Sequence, residues 1–180
     1  MLVGKTSTLV AAFISEKRKQ LLTIDSDRLV RIWDLRTGTA ENSYNLSISG
    51  RLTAAAIDKN DKYIAAGTHK GEVRVFNRSS GGLLYSLESA ARSERLEITS
   101  LAFLNSISEY WLAGTAWKGK VMMWTAPNFA TNYHVNTKAF IAHHRDVLCI
   151  DSCTTYVATG ATDNLVTVWN AFSSNFRFAL

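Results

Sequence analysis

His143 and His144 stand side by side, with Cys149 and Cys153 shortly after them. Imidazole and thiolate are the ligand types of zinc, so these four residues raise metal chemistry first. The spacing argues against it. Cysteines four apart along a strand lie roughly 13 Å apart at about 3.3 Å per residue, beyond disulfide reach. No second Cys/His pair at zinc spacing accompanies them, so free thiols in or beside strands are expected, with no metal and no cofactor. Gly4-Lys5-Thr6 matches the end of a phosphate-binding loop, but that motif needs a glycine five positions before Gly4 and a strand before it. There is no G-x-S-x-G elbow, no H-E-x-x-H and no recognisable carboxylate pair. Asp58, Asp61 and Asp151 fall at expected strand ends, where aspartate closes turns. Asn45 and Asn77 open N-x-S acceptors, which matter only in a secreted protein. The residues point away from an enzyme.

The composition sets the class. The 180 residues are 47% hydrophobic and 19% charged, with one proline, Pro127, which suits about one globular domain. No apolar run approaches the roughly 18 residues that span a bilayer, and two cysteines make no disulfide framework. The opening "MLVGKTSTLV" has no continuous apolar stretch and does not read as a secretory signal. A cytoplasmic location is therefore the expectation. The net charge of +5 hints at anionic partners, and a nucleic-acid-associated basic chain is the alternative function. Against it, Lys and Arg are scattered, where a nucleic-acid face needs a clustered stripe. The one cluster, Lys17-Arg18-Lys19, reads as a solvated hairpin turn.

The elements that position these residues repeat. "LLTIDSDRLVRIWD" (21–34), "YIAAGTHKGEVRVFN" (63–77), "WLAGTAWKGKVMMWT" (111–125) and "YVATGATDNLVTVWN" (156–170) align, each ending near an aromatic: Trp33, Phe76, Trp124 and Trp169. The intervals between these aromatics are 43, 48 and 45 residues. Six positions before each stands a polar residue: Asp27, Lys70, Lys118 and Asp163. Strand-length apolar or alternating runs recur at Val30–Trp33, Val73–Phe76, Val121–Trp124 and Val166–Trp169. Upstream strands are expected at Thr8–Ile14, Leu52–Ile57, Ile98–Phe103 and Val147–Ser152. Weaker downstream strands are expected at Thr39–Leu46, Gly82–Leu87, Val135–Ile141 and Asn175–Leu180. No sustained helical period is present. Four antiparallel strands repeated every 40–50 residues describe an all-β chain of β-propeller blades, about four of them, near 5–47, 48–88, 94–141 and 143–180. A blade cannot cover both its faces alone, so stacking the blades makes the core.

At "VRIWD", with Asp27 six residues before Trp33, the chain resembles the tryptophan-aspartate (WD) repeat β-propellers. The likeness covers essentially all 180 residues. It implies that His143, Thr159, Asp163 and Trp169 form a hydrogen-bonded structural tetrad, in which the carboxylate accepts from the imidazole, the hydroxyl relays and the indole donates. In the first unit Thr23, Asp27 and Trp33 match, with Lys5 at the His position. The second and third units carry Lys70 and Lys118 for Asp and Ile48 and Glu94 for His, so those blades are expected to rely on packing. "HHRDVLCIDSCTTYVATGATDNLVTVWN" and "YIAAGTHKGEVRVFN" further resemble ciliary WD-repeat proteins that carry EF-hands, although no EF-hand loop of the D-x-[DN]-x-[DN]-G type occurs here. Four blades are fewer than the family's usual seven or eight. A piece of a longer propeller is expected, its remaining blades supplied by flanking sequence or another chain.

The resemblance also implies a docking face for other proteins or peptides, where the loops between strands two and three meet those entering strand one. The residues before the turn position are Ser26, His69, Trp117 and Thr162. Those before the first-strand apolar residue are Thr8, Arg51, Glu97 and Asp146, and two residues earlier stand Thr6, Ser49, Arg95 and His144. Trp117, an indole in the polar turn "TAWKGK", is the clearest candidate, since Trp and Arg dominate interface energetics. The function expected is a non-catalytic protein-interaction scaffold, with a cilium or cytoskeletal setting under the narrower resemblance.

Overall fold

The computed structural model describes residues 7–87, 89–104, 110–125, 137–171, 173 and 175–180. Gly4, Lys5, Thr6, Pro127 and the start of the strand expected from Val135 lie outside these residues. Sixteen strands form four antiparallel sheets, each in sequential order. Blade 1 holds β1 (Leu9–Ser15), β2 (Gln20–Asp25), β3 (Leu29–Asp34) and β4 (Ala40–Asn45). Blade 2 holds β5 (Leu52–Ile57), β6 (Tyr63–Thr68), β7 (Val73–Asn77) and β8 (Leu83–Leu87). Blade 3 holds β9 (Ile98–Phe103), β10 (Tyr110–Ala116), β11 (Lys120–Thr125) and β12 (Thr137–Ile141). Blade 4 holds β13 (Val147–Ser152), β14 (Tyr156–Ala161), β15 (Val166–Asn170) and β16 (Phe176–Ala179). The one helix among the described residues, α1 (Ala90–Ser93), is a single turn capped by the Ser89 hydroxyl, which accepts from the Ala91 amide.

Period-two alternation makes these strands and points their two faces at different neighbours. In blade 2, Leu52, Ile64, Ala66 and Phe76 join blade 1 in one core cluster with Leu22, Ile24, Val30 and Ile32. The alternate residues Ala54, Ala65, Val73 and Val75 join Ile98, Leu101, Leu112 and Trp124 of blade 3 in a second. A third unites Ala113 and Met123 of blade 3 with Ile150, Val157 and Trp169 of blade 4. Three cores therefore serve three junctions, and blades 2 and 3 are each sandwiched between two neighbours. The first strands of the four blades line a cavity of about 290 Å³, with Phe13, Ala56, Phe103 and Ser152 among its lining residues.

Polar ties reinforce the junctions. The Thr53 hydroxyl donates to the Ile98 carbonyl at 2.6 Å, and the Ser152 hydroxyl to the Phe103 carbonyl at 3.0 Å. Arg78 is buried between blades 1 and 2, where its Nη2 donates to Gln20 Oε1 at 2.9 Å and the Tyr44 hydroxyl donates to its carbonyl. Asp58 closes its turn by accepting from the amides of Asn60, Lys62 and Tyr63, and Lys17–Lys19 lie in the turn between β1 and β2.

Candidate functional site

Blade 4 brings His143, Thr159, Asp163 and Trp169 into one network. The His143 Nδ1 faces both Asp163 carboxylate oxygens at 3.2 Å, and its Nε2 lies 2.9 Å from the Thr159 hydroxyl. The Trp169 indole donates to Thr159 at 3.2 Å. Burial pushes the Asp163 carboxyl up, but the Leu165 and His144 amides and the His143 ring outweigh it and hold it below the ordinary carboxylate range. Thr167 is a fifth member that sequence reasoning missed. Its hydroxyl lies 2.8 Å from His143 Nε2 and 2.7 Å from Thr159 Oγ1, and accepts from Trp169 at 3.1 Å. The signal was its place two residues before Trp169, on the same face of β15.

Blade 1 corrects the expectation for Asp27. Trp33 does donate to Thr23 at 3.0 Å, but the Asp27 side chain is exposed at the tip of the turn. The working carboxylate is Asp25, which is buried. Its Oδ1 accepts from the amides of Asp27 and Leu29, both at 3.0 Å, and its Oδ2 accepts from the Ser7 hydroxyl at 3.0 Å. An aspartate opening a turn captures the amides two and four residues on, and Arg28 then takes a left-handed φ of 75°, leaving Asp27 outward. Thr68 does the same in blade 2, accepting from the Lys70 and Glu72 amides. In that blade Ile48 is buried in the core, while Ser49 donates to Glu72 at 2.7 Å. In blade 3, Glu94 pairs with Lys120, and Trp124 is fully buried.

On the candidate docking face the two sets of residues meet pairwise in every blade. The amide of Ser26 donates to the Thr8 carbonyl at 2.8 Å, His69 to Arg51 at 3.2 Å, Trp117 to Glu97 at 3.3 Å, and Thr162 to Asp146 at 2.9 Å. Links also run between blades: Arg51 pairs with Glu97 at 3.6 Å, and the Lys118 amide donates to Asp146 Oδ1 at 2.8 Å. The Trp117 side chain is 44% exposed, and Arg51, Arg95, His144, Asp146 and Thr162 are exposed as well. Ser26 corrects its expectation, being buried at 9% exposure, where its carbonyl accepts from the Leu52 amide of the next blade. Between blades 3 and 4 the face dips into a cavity of about 490 Å³ lined by Lys118, His143, His144, Arg145, Asp146 and Thr162. Cys149 and Cys153 are free and exposed rather than packed. The Cys153 thiol is held below the usual range by the Thr155 and Tyr156 amides. No helix of the described residues is long and apolar enough to cross a membrane.

A family model described as "WD domain, G-beta repeat" matches residues 134–170. Actin-interacting protein 1 of Caenorhabditis elegans is 33% identical over 129 residues, covering 67% of this chain and 20% of that protein. The chain thus spans about a fifth of that relative's length. Among solved structures, U3-55K (TM-score 0.79, 16% identity) matches 99% of this chain and 53% of its own. The RRP9 WD40 repeats (TM-score 0.77, 16% identity) match 98% and 52%. The computationally designed Ika4 protein (TM-score 0.71, 23% identity) matches 94% and 95%. With four sequential four-stranded blades, a His–Thr–Asp–Trp network in the segment that the family model matches, and these neighbours, the chain belongs to the WD-repeat β-propeller family.

Proposed function

We propose that the chain is a non-catalytic scaffold that docks another protein or peptide on the face bearing Trp117. WD-repeat propellers act in general as protein-interaction platforms. The observation that carries the reading here is the repeated backbone bond from the pre-turn residue to the residue before strand one, present in all four blades. It holds the face by main chain, so exposed side chains such as Trp117 dock with little ordering cost. Charges of both signs meet on or beside this face, Arg51 pairing with Glu97 and Lys120 with Glu94. A mixed surface of this kind suits a protein, where a phosphate backbone calls for a contiguous cationic stripe.

The nematode relative is by its name an actin-interacting protein, which makes actin the first partner to try. A cytoplasmic location and a ciliary or axonemal assembly belong to the same reading and rest on the sequence alone. The test is capture from extract, with actin co-sedimentation alongside, comparing wild type with Trp117→Ala and Arg51→Glu. Both variants are expected to keep the fold and lose capture. Undiminished capture by both places the docking face elsewhere.

A further inference from the structure

The β1–β2 and β5–β6 turns lie at the far end of their strands from the β2–β3 and β6–β7 turns that build the Trp117 face. Lys17, Arg18 and Lys19 stand exposed in the first of them, and Lys59 and Lys62 in the second. The two turns touch, because the Ser15 hydroxyl at the end of β1 donates to the Asp61 carboxylate at 2.5 Å. Among the described residues none of these five cations has an ion-pair partner, whereas Arg36 on the neighbouring turn is paired with Asp34. Asp58 cannot neutralise them well, since it is buried and its carboxylate accepts from three main-chain amides. The matching turn of blade 4, Cys153, Thr154 and Thr155, carries no cation.

Beneath this surface lies a guanidinium without an anion. Arg78 follows β7, and its side chain crosses from blade 2 to Gln20, the first residue of β2 beside the Lys17–Lys19 turn. Only 2% of Arg78 is exposed. Its Nη2 donates to the neutral Gln20 amide oxygen, its Nε is buried with no partner, and no described carboxylate comes within ion-pair reach. Burial pushes the Arg78 pKa down, and repulsion from the Arg18 guanidinium adds to that push; Asp61, Tyr44 and Glu41 pull the other way. Buried charges are ordinarily paired, so an anion bridging the two arginines would relieve both terms. The main chain holds Arg78 in place, its amide donating to the Lys62 carbonyl at 2.9 Å and its carbonyl accepting from the Tyr44 hydroxyl.

The pattern of charge decides the partner. Glu16 precedes Lys17 and Asp61 precedes Lys62, so a continuous phosphate backbone would meet both signs, where its affinity comes from neutralisation. The turns 16–19, 35–39, 58–62 and 78–82 hold no aromatic residue on which bases could stack. A protein segment carries its carboxylates singly, and a carboxylate is the planar acceptor that a guanidinium fork matches.

We propose that this end of blades 1 and 2 is a second docking face, which takes an acidic segment of a partner protein with one carboxylate bridging Arg18 and Arg78. The probe is a labelled oligoglutamate peptide, titrated against the 180-residue chain and read by fluorescence anisotropy. Saturable binding is expected at about 50 mM salt, weakening as added salt screens the exposed cations. The double variant Arg18→Glu with Lys62→Glu alters exposed side chains, so it is expected to leave circular dichroism unchanged and lower affinity at least about tenfold. Arg78→Lys keeps the charge and loses the fork, and is expected to weaken binding even at high salt; should it loosen the blade junction, the exposed double variant still decides. Trp117→Ala is expected to bind the peptide as wild type does, which reads the two faces separately. Loss of binding in Trp117→Ala overturns the proposal by assigning the peptide to the other face. So does absence of saturable binding, undiminished binding by the double variant, or equal or tighter binding of an oligouridylate of the same length.

Discussion

The Trp169 indole donates to the Thr159 hydroxyl at 3.2 Å, and the same ten-residue step joins Trp33 to Thr23 at 3.0 Å. The two bonds sit in different surroundings. Thr159 is buried and also meets His143 and Thr167, whereas Thr23 and Trp33 are half-buried on an open blade face. Thr159→Val is therefore expected to destabilise by about 1–3 kcal/mol, the cost of a buried polar group deprived of its partner. Thr23→Val is expected to cost less, since water reaches its indole partner. Urea denaturation of the two variants checks the order.

The turn of blade 1 makes a sharper contrast. Asp25→Ala strips a buried acceptor from two amides and a hydroxyl and is expected to cost about 1–3 kcal/mol. Asp27→Ala, two residues on, is expected to change stability by no more than about 0.5 kcal/mol, as exposed positions do. Equal losses in the two variants would restore Asp27 to the network.

Acid should act through Asp163. Its folded carboxyl titrates below the ordinary carboxylate value, so the stability it contributes is present above that ordinary value and is lost as pH falls through the lower, folded one. The stability difference between wild type and Asp163→Asn is expected to be steady from pH 7 to 5 and to shrink toward pH 3. Denaturant melts across that range measure it; a gap that widens in acid contradicts the sign.

Two left-handed glycines separate strain from collision. Gly38 (φ 69°) has nothing within 4 Å of an added Cβ, so Gly38→Ala is expected to cost only the conformational strain of about 1–2 kcal/mol. At Gly119 (φ 72°) the Cβ would lie 1.8 Å from the His143 carbonyl oxygen. That atom is main chain at the blade 3–4 junction and has no rotamer to yield. Gly119→Ala is expected to cost clearly more than Gly38→Ala, and thermal melts of both distinguish them.

The docking face predicts a split between stability and binding. Arg51→Glu removes an exposed ion pair worth about 0–1 kcal/mol, and Trp117→Ala removes an exposed ring. Both should melt close to wild type, while partner affinity falls at least about tenfold, in line with the roughly 2 kcal/mol of a truncated anchor. Binding titrations beside melts test the two halves together.

What the chain alone determined is local. Strands such as Leu52–Ile57, Ile98–Phe103 and Val147–Ser152 are fixed by alternation within six residues, and the aromatic spacing sets the repeat, because both depend on near neighbours along the backbone. The His143–Thr159–Asp163–Trp169 set was legible for the same reason: one blade holds it all. Thr167 escaped because a threonine in a strand looks like any β-former until a ring nitrogen stands 2.8 Å away. Asp25 and Asp27 are alike by type and two residues apart at the end of β2 and in the turn after it, and which of them turns inward follows from the amides each can reach in three dimensions. Ser26 lies buried because the next blade's Leu52 amide covers it. Only the tertiary structure decided that Leu9, Val166 and Phe178, chemically interchangeable with core residues of the inner blades, stand open to water while Trp33 is half-buried: burial belongs to the junction between sheets, and none of the three core clusters of the described residues includes these four.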